Sequence, residues 1–174
     1  MYPAPLLYKL KDMGKRLIIL RHAKSSWKSG APTDHQRPLN KRGRRDAPRI
    51  GACLNELGWI PDLVISSDSE RTRETWQRMA EAFPESTRVR FTRDFYHGGL
   101  SAISNECASV DDDVSTLMVV GHNPGWEYTL SNFCGEYIRM TTANAALLES
   151  ETDHWAQAVD SDWKFVGILR PKEL

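Results

Sequence analysis

Leu17-Ile18-Ile19-Leu20, Leu63-Val64-Ile65 and Leu117-Met118-Val119-Val120 are short, unbroken apolar runs. A run of this kind offers no polar residue to water, so it suits a strand covered on both faces. The stretches between these runs are long enough to hold a helix and its loops. Strand, loop and helix in alternation predict an α/β fold: three layers, α/β/α, around a mainly parallel central sheet.

The remaining elements fall between these anchors. Lys24 to Pro38 is polar, contains Gly30 and Pro32, and reads as a long surface loop. Asn40 is placed to cap a helix running to about Leu57 and closed by Gly58, with Pro48 predicting a later start or a kink. A helix is expected from Ser69 to Phe83, stopped by Pro84, and a third strand from Arg88 to Phe95. Ser101 to Val110 suits a short helix. A further helix begins after Asn123-Pro124, with the proline expected in its first turn. Ala145–Leu148 and Phe165–Leu169 complete the strands.

The 174 residues fit one domain: residues 15–174, preceded by a tail over 1–14 that Pro3 and Pro5 keep extended. Twenty-three basic residues balance twenty-three acidic ones, which argues against broad binding to nucleic acid or an anionic membrane. No apolar stretch is long enough to span a bilayer. The segment Met1 to Gly14 mixes charges among its apolar residues and does not read as a signal peptide. Cys53, Cys107 and Cys134 have no C-x-x-C spacing and cannot all pair, so a reducing, cytoplasmic setting is expected.

In open parallel sheets ligands bind beyond the carboxyl ends of the strands. Arg21-His22 follows the first apolar run, Ser66-Ser67 the second, and Gly121-His122 the third. Arg71 then stands in the first turn of the helix after Ser67. There its charge opposes the helix dipole, and a bound anion would offset it. An imidazole lone pair can attack phosphorus at neutral pH, and arginine forks hold phosphoryl oxygens. Taken singly, each motif is equally compatible with an ordinary strand end or a surface ion pair.

Arg21-His22-Ala23, Ser67 to Arg71, and Gly121-His122-Asn123-Pro124-Gly125 together resemble the histidine phosphatase superfamily, with its phosphoglycerate-mutase-like fold. The likeness is nearest to the small SixA-like phosphohistidine phosphatases. Asp34-His35-Gln36-Arg37-Pro38-Leu39 with Arg42-Gly43, Thr141-Thr142-Ala143 and Leu169-Arg170-Pro171 extend it over about residues 16 to 171. The resemblance implies that His22 is the phosphoryl acceptor. It implies that Arg21, Arg71 and His122 bind the phosphoryl oxygens and that Ser25 contacts phosphate. No metal or other cofactor is implied. The partner is a phosphorylated protein or a small phosphorylated substrate, with no nucleic acid, no membrane and an undetermined oligomeric state.

Two positions depart from the family pattern. Ala23 stands where many members have glycine. The stretch Arg93 to Gly99 lacks the glutamate many relatives use as a proton donor, leaving Asp94 and His97 as candidates. A missing acid favours a substrate with a labile P–N bond, such as phosphohistidine, over an alkyl phosphate. Two other functions stay open. One is a phospho-ligand binding or adaptor protein with little turnover. The other is a metal-dependent hydrolase using His22, Asp34, His35, His97 and His122, for which no H-E-x-x-H spacing speaks. Trp59, Trp76 and Trp126 are expected to pack on the sheet, Cys53 to lie in the core, and Trp27 to form a wall of the site.

Overall fold

A computed structural model describes residues 14–174; the expected tail lies almost wholly outside the described residues. Six strands form one sheet: β1 (Lys15–Arg21), β2 (Leu63–Ser67), β3 (Arg88–Thr92), β4 (Thr116–Gly121), β5 (Ala145–Ser150) and β6 (Lys164–Leu169). Their order across the sheet is β3-β2-β4-β1-β5-β6. The first four are mutually parallel, and β5 runs antiparallel to both its neighbours.

The apolar runs fill both faces of this sheet, as their unbroken pattern requires. Ile18, Leu20, Val64, Met118 and Val120 point to one side, where they meet Ile50 and Leu54 of α1 (Lys41–Glu56) and Trp76 and Met79 of α2 (Glu70–Met79). Leu17, Ile19, Ile65, Leu117 and Val119 point to the other. There they meet Ile103 of α3 (Leu100–Cys107), Trp126 and Leu130 of α4 (Gly125–Cys134), and Trp155 of a 3₁₀ turn. Alternate residues of one strand therefore serve different helical layers, giving the three-layer α/β/α arrangement.

Several local predictions change in the structure. Helix α1 runs through Pro48 without interruption, with Asn40 Oδ1 accepting from Gly43 N at 3.0 Å. Pro48 lies on the exposed face, where water can reach the carbonyl that its missing N–H leaves unpaired. Strand β3 stops at Thr92, because Thr92 caps a 3₁₀ turn over Arg93–Phe95 by accepting from Asp94 N. Pro124 occupies the N-cap of α4 instead of its first turn. Cys53 is only partly buried, while Trp59, Trp76 and Trp126 are buried as expected. No described helix is long and apolar enough to cross a membrane.

Candidate active site

Strands β2, β4 and β1 lie side by side and end at the same edge of the sheet. Arg21 pairs with Gly121 across β1 and β4, so His22 and His122 each leave the sheet one residue past a shared register point. His22 N donates to Gly121 O at 3.1 Å, and the two imidazole centroids lie 5.0 Å apart. Gly121 is required there. A Cβ at that position would sit 2.5 Å from the Trp126 ring, which closes the core directly beneath the histidines.

The tautomer of His22 follows from its contacts. Nδ1 lies 2.7 Å from Ala23 O. A carbonyl only accepts, so Nδ1 carries the proton and Nε2 keeps its lone pair. Arg71 Nε, an obligate donor, points at His22 Nε2 from 3.4 Å. Burial, with the nearby guanidiniums of Arg71, Arg21 and Arg37 adding to it, lowers the His22 pKa to about 3. Ala23 itself is buried, and its N–H donates to Thr75 Oγ1 at 3.0 Å.

His122 is held from the other side. Its Nε2 lies 2.8 Å from Ser67 Oγ at the end of β2, and its Nδ1 is buried without a hydrogen-bond partner among the described residues. Burial first, and then His22 and Arg71, lower its pKa to about 2. Arg21 donates from Nη1 to Met140 O at 2.9 Å, while its Nε is buried and unpaired. Burial lowers the Arg21 pKa, though a guanidinium remains charged at any physiological pH.

Arg71 is buried and anchored by a loop residue. Its Nη1 donates to Asp34 O at 2.7 Å and its Nη2 to Asp34 Oδ2 at 3.1 Å. Tyr96 OH donates to the same Asp34 Oδ2 at 2.7 Å. Arg37 Nε lies 3.3 Å from Asp34 Oδ1, close enough for an ion pair but without hydrogen-bond alignment, and its Nε and Nη1 have no aligned partner. Buried nitrogens left unpaired on Arg21, Arg37 and His122 are uncommon in folded proteins, and an oxyanion can satisfy such groups.

The structure places the other expected residues differently. Ser25 is buried, and its Oγ accepts from Arg37 Nη2 at 2.7 Å, so it holds an arginine. His97 lines a cavity of about 430 Å³ together with Tyr96, His122 and Tyr128, and its ring lies 4.0 Å from that of Tyr96. Asp94 is exposed and is not among that cavity's walls. Trp27 is 75% exposed and stacks on the Arg37 guanidinium at 3.4 Å instead of enclosing a pocket. Asp34 is engaged with Arg71, Arg37 and Tyr96, and His35 pairs with Asp68 at 2.7 Å. Among the described residues no three His, Cys, Asp or Glu side chains gather as a metal site. A larger cavity of about 990 Å³ opens at the opposite end of the sheet, by Lys15 and Trp163, far from either histidine's strand end.

Arg37, Tyr96 and Ser67, with Asp34 as an arginine partner, are neighbours that motif reading did not assign. Arg37 and Asp34 stand in a loop with no periodicity, and Tyr96 follows a strand on the far edge of the sheet. Only the fold brings them together.

Residues 17–96 match the histidine phosphatase superfamily (branch 1). The chain belongs to this superfamily. The matched stretch contains Arg21, His22 and Arg71, and His122 lies beyond it. An uncharacterized chloroplastic protein of Arabidopsis thaliana is 38% identical over 92% of this chain and 79% of its own length. A protein of Nakamurella multipartitia, provisionally named phosphohistidine phosphatase SixA, is 28% identical with a TM-score of 0.80, covering 91% of this chain and 96% of that one. A similarly named Agrobacterium tumefaciens structure is 27% identical with a TM-score of 0.77, covering 90% and 98%. This histidine phosphatase thus shares the SixA-like, phosphoglycerate-mutase-like fold over nearly its whole described length.

Proposed function

We propose that this protein is a metal-independent phosphatase that carries the phosphoryl group on His22 and acts on phosphohistidine in a protein or on a small activated phosphate. The observation behind this reading is the fixed tautomer of His22: Nδ1–H on Ala23 O, with Nε2 free to attack beside Arg71.

In the first step His22 Nε2 bonds to phosphorus, and the bond to the leaving group breaks with its electron pair. Arg71 Nε turns from His22 Nε2 to a phosphoryl oxygen. Arg21 and His122 take the other oxygens, which supplies the positioning and charge neutralisation that phosphoryl transfer needs. In the second step water attacks phospho-His22. His22 leaves as neutral imidazole, still donating from Nδ1 to Ala23 O, and phosphate departs as the dihydrogen ion, which gives a proton to solvent.

The substrate class rests on the proton donor. Asp94 is exposed, His97 is exposed at the rim of the cavity, and Asp34 is held ionised by its hydrogen bond to Tyr96, aided by Arg71 and Arg37. A P–N bond needs less proton assistance than an alkyl ester, which favours phosphohistidine. The same observation, with Asp34 occupying the Arg71 fork, also favours a second reading: a phospho-ligand binding or adaptor protein with little turnover. Labelled phosphohistidine or aryl phosphate separates the two. Label that appears on His22 and is released by water supports the phosphatase; stable binding without transfer supports the adaptor. Hydrolysis that survives His22→Ala would sink the first reading.

A further inference from the structure

We infer that the Asp34 carboxylate is the acceptor for the leaving group, holding the N–H of the substrate imidazole while His22 takes the phosphoryl group. This rests on the phospho-His22 reading and names how that site recognises a phosphoramidate.

An anionic side chain among phosphate-binding arginines requires a reason. The Asp34 side chain is 46% exposed, at the mouth of the site, with Oδ2 on Arg71 Nη2 and Tyr96 OH and Oδ1 beside Arg37. Arg71 reaches both Asp34 and His22 Nε2, so one guanidinium separates the carboxylate from the nucleophile. The Tyr96 hydrogen bond, with the two arginines, holds the Asp34 carboxyl below the usual carboxylate range, so it accepts protons' hydrogen bonds and does not give a proton away.

That arrangement suits one leaving group and opposes another. A phosphate monoester dianion brings the phosphoryl charge next to a fixed carboxylate with no positive charge on its leaving group to offset it. A phosphohistidine ring protonated on its far nitrogen brings an N–H donor and a positive charge. When His22 Nε2 bonds to phosphorus, the P–N bond breaks and its electron pair returns to the substrate nitrogen. The far nitrogen already bears a proton, so the ring leaves as neutral imidazole. No acid on the protein is needed for this step, in keeping with the exposed positions of Asp94 and His97. Asp34 contributes by favouring the protonated ring and orienting it.

The experiment compares the full chain with Asp34→Asn on a phosphohistidine peptide and on an aryl phosphate, reading kcat/KM for each. The ratio of phosphohistidine to aryl phosphate is expected to fall about tenfold or more, the worth of a charge-assisted hydrogen bond. Aryl phosphate turnover is expected to rise as the like charge is removed, and Asp34→Glu is expected to restore much of the ratio. A smaller change in the ratio overturns the inference; the phosphatase reading then still stands if the unaltered chain takes label from phosphohistidine onto His22. If only aryl phosphate labels the unaltered chain, the phosphohistidine reading and this inference fall together. Circular dichroism checks folding, and Asp34→Ser reads the same ratio if the Asn variant does not fold.

Discussion

Arg71 Nε lies 3.4 Å from His22 Nε2, so the imidazole nitrogen that keeps its lone pair faces a permanent cation. That contact is long for a hydrogen bond, and the rest of the guanidinium is anchored on Asp34. The arrangement lets Arg71 release His22 and engage a phosphoryl oxygen through a small rotation of one fork. Lysine provides charge without the fork. Arg71→Lys is therefore expected to lower kcat/KM on an aryl phosphate about a hundredfold or more, in line with the loss of one transition-state donor. A variant within threefold of the unaltered chain would show that point charge alone suffices.

The depressed pKa values of His22 and His122 carry over to stability. Both folded values, about 3 and about 2, lie below the ordinary value of 6.5. The unfolded chain therefore binds more protons as pH falls below 6.5, and the stability present above that pH is lost progressively toward 3. Each histidine contributes a slope of up to about 1.4 kcal/mol per pH unit. Denaturant titrations between pH 6.5 and 4.5 should show a steep loss that becomes shallower in His122→Gln. An equal slope in that variant would mean that His122 titrates normally.

The same burial fixes the protonation state of His22, the proposed phosphoryl acceptor. His22 should remain neutral, with its proton on Nδ1, down to about pH 5 in the ligand-free protein. Nitrogen-15 NMR of labelled imidazole reads both properties directly. A His22 signal titrating near 6.5 would contradict them.

Much of this site was legible because its main residues are tied to strand ends. Arg21-His22 and Gly121-His122 each follow an apolar run, and a parallel sheet places such positions on one edge. Arg71 was legible from its helix turn. Asp34, Arg37 and Tyr96 were not, since a loop has no period and their meeting depends on how residues 24–38 fold back. That fold-back is set by contacts such as Asn40 N to Lys24 O at 2.9 Å, and by Gly43, where a Cβ would lie 2.2 Å from Lys24 O. Pro48 misled for a related reason: its cost depends on which helix face it occupies, and that is settled by packing.

Ser67 offers a test of positioning separate from phosphate contact. Its hydroxyl is the hydrogen-bond partner of His122 Nε2, 2.8 Å away and buried. Ser67→Ala leaves that nitrogen unpaired at a cost of about 1–3 kcal/mol. The expected result is a lower melting temperature, with kcat on an aryl phosphate reduced about tenfold and Ser67→Thr recovering part of it. Unchanged kcat would show that the orientation of His122 is set by packing alone.

Gly121 links the core to the chemistry, and its replacement should damage both. A methyl group there meets the Trp126 ring at 2.5 Å, and Trp126 is fully buried against Phe95 with centroids 4.9 Å apart. The ring is fully buried, so the strain falls on the backbone of β4 or on α4. Overpacking of this kind costs about 1–3 kcal/mol. Because Gly121 O receives the His22 N–H and precedes His122, a shift of β4 also moves the two imidazoles relative to one another. Gly121→Ala is therefore expected to lower the melting temperature and to reduce kcat more than Ile50→Val, a core change on the α1 side of the sheet costing about 0.5–1.5 kcal/mol. Equal losses of kcat at matched stability would show that Gly121 serves packing only.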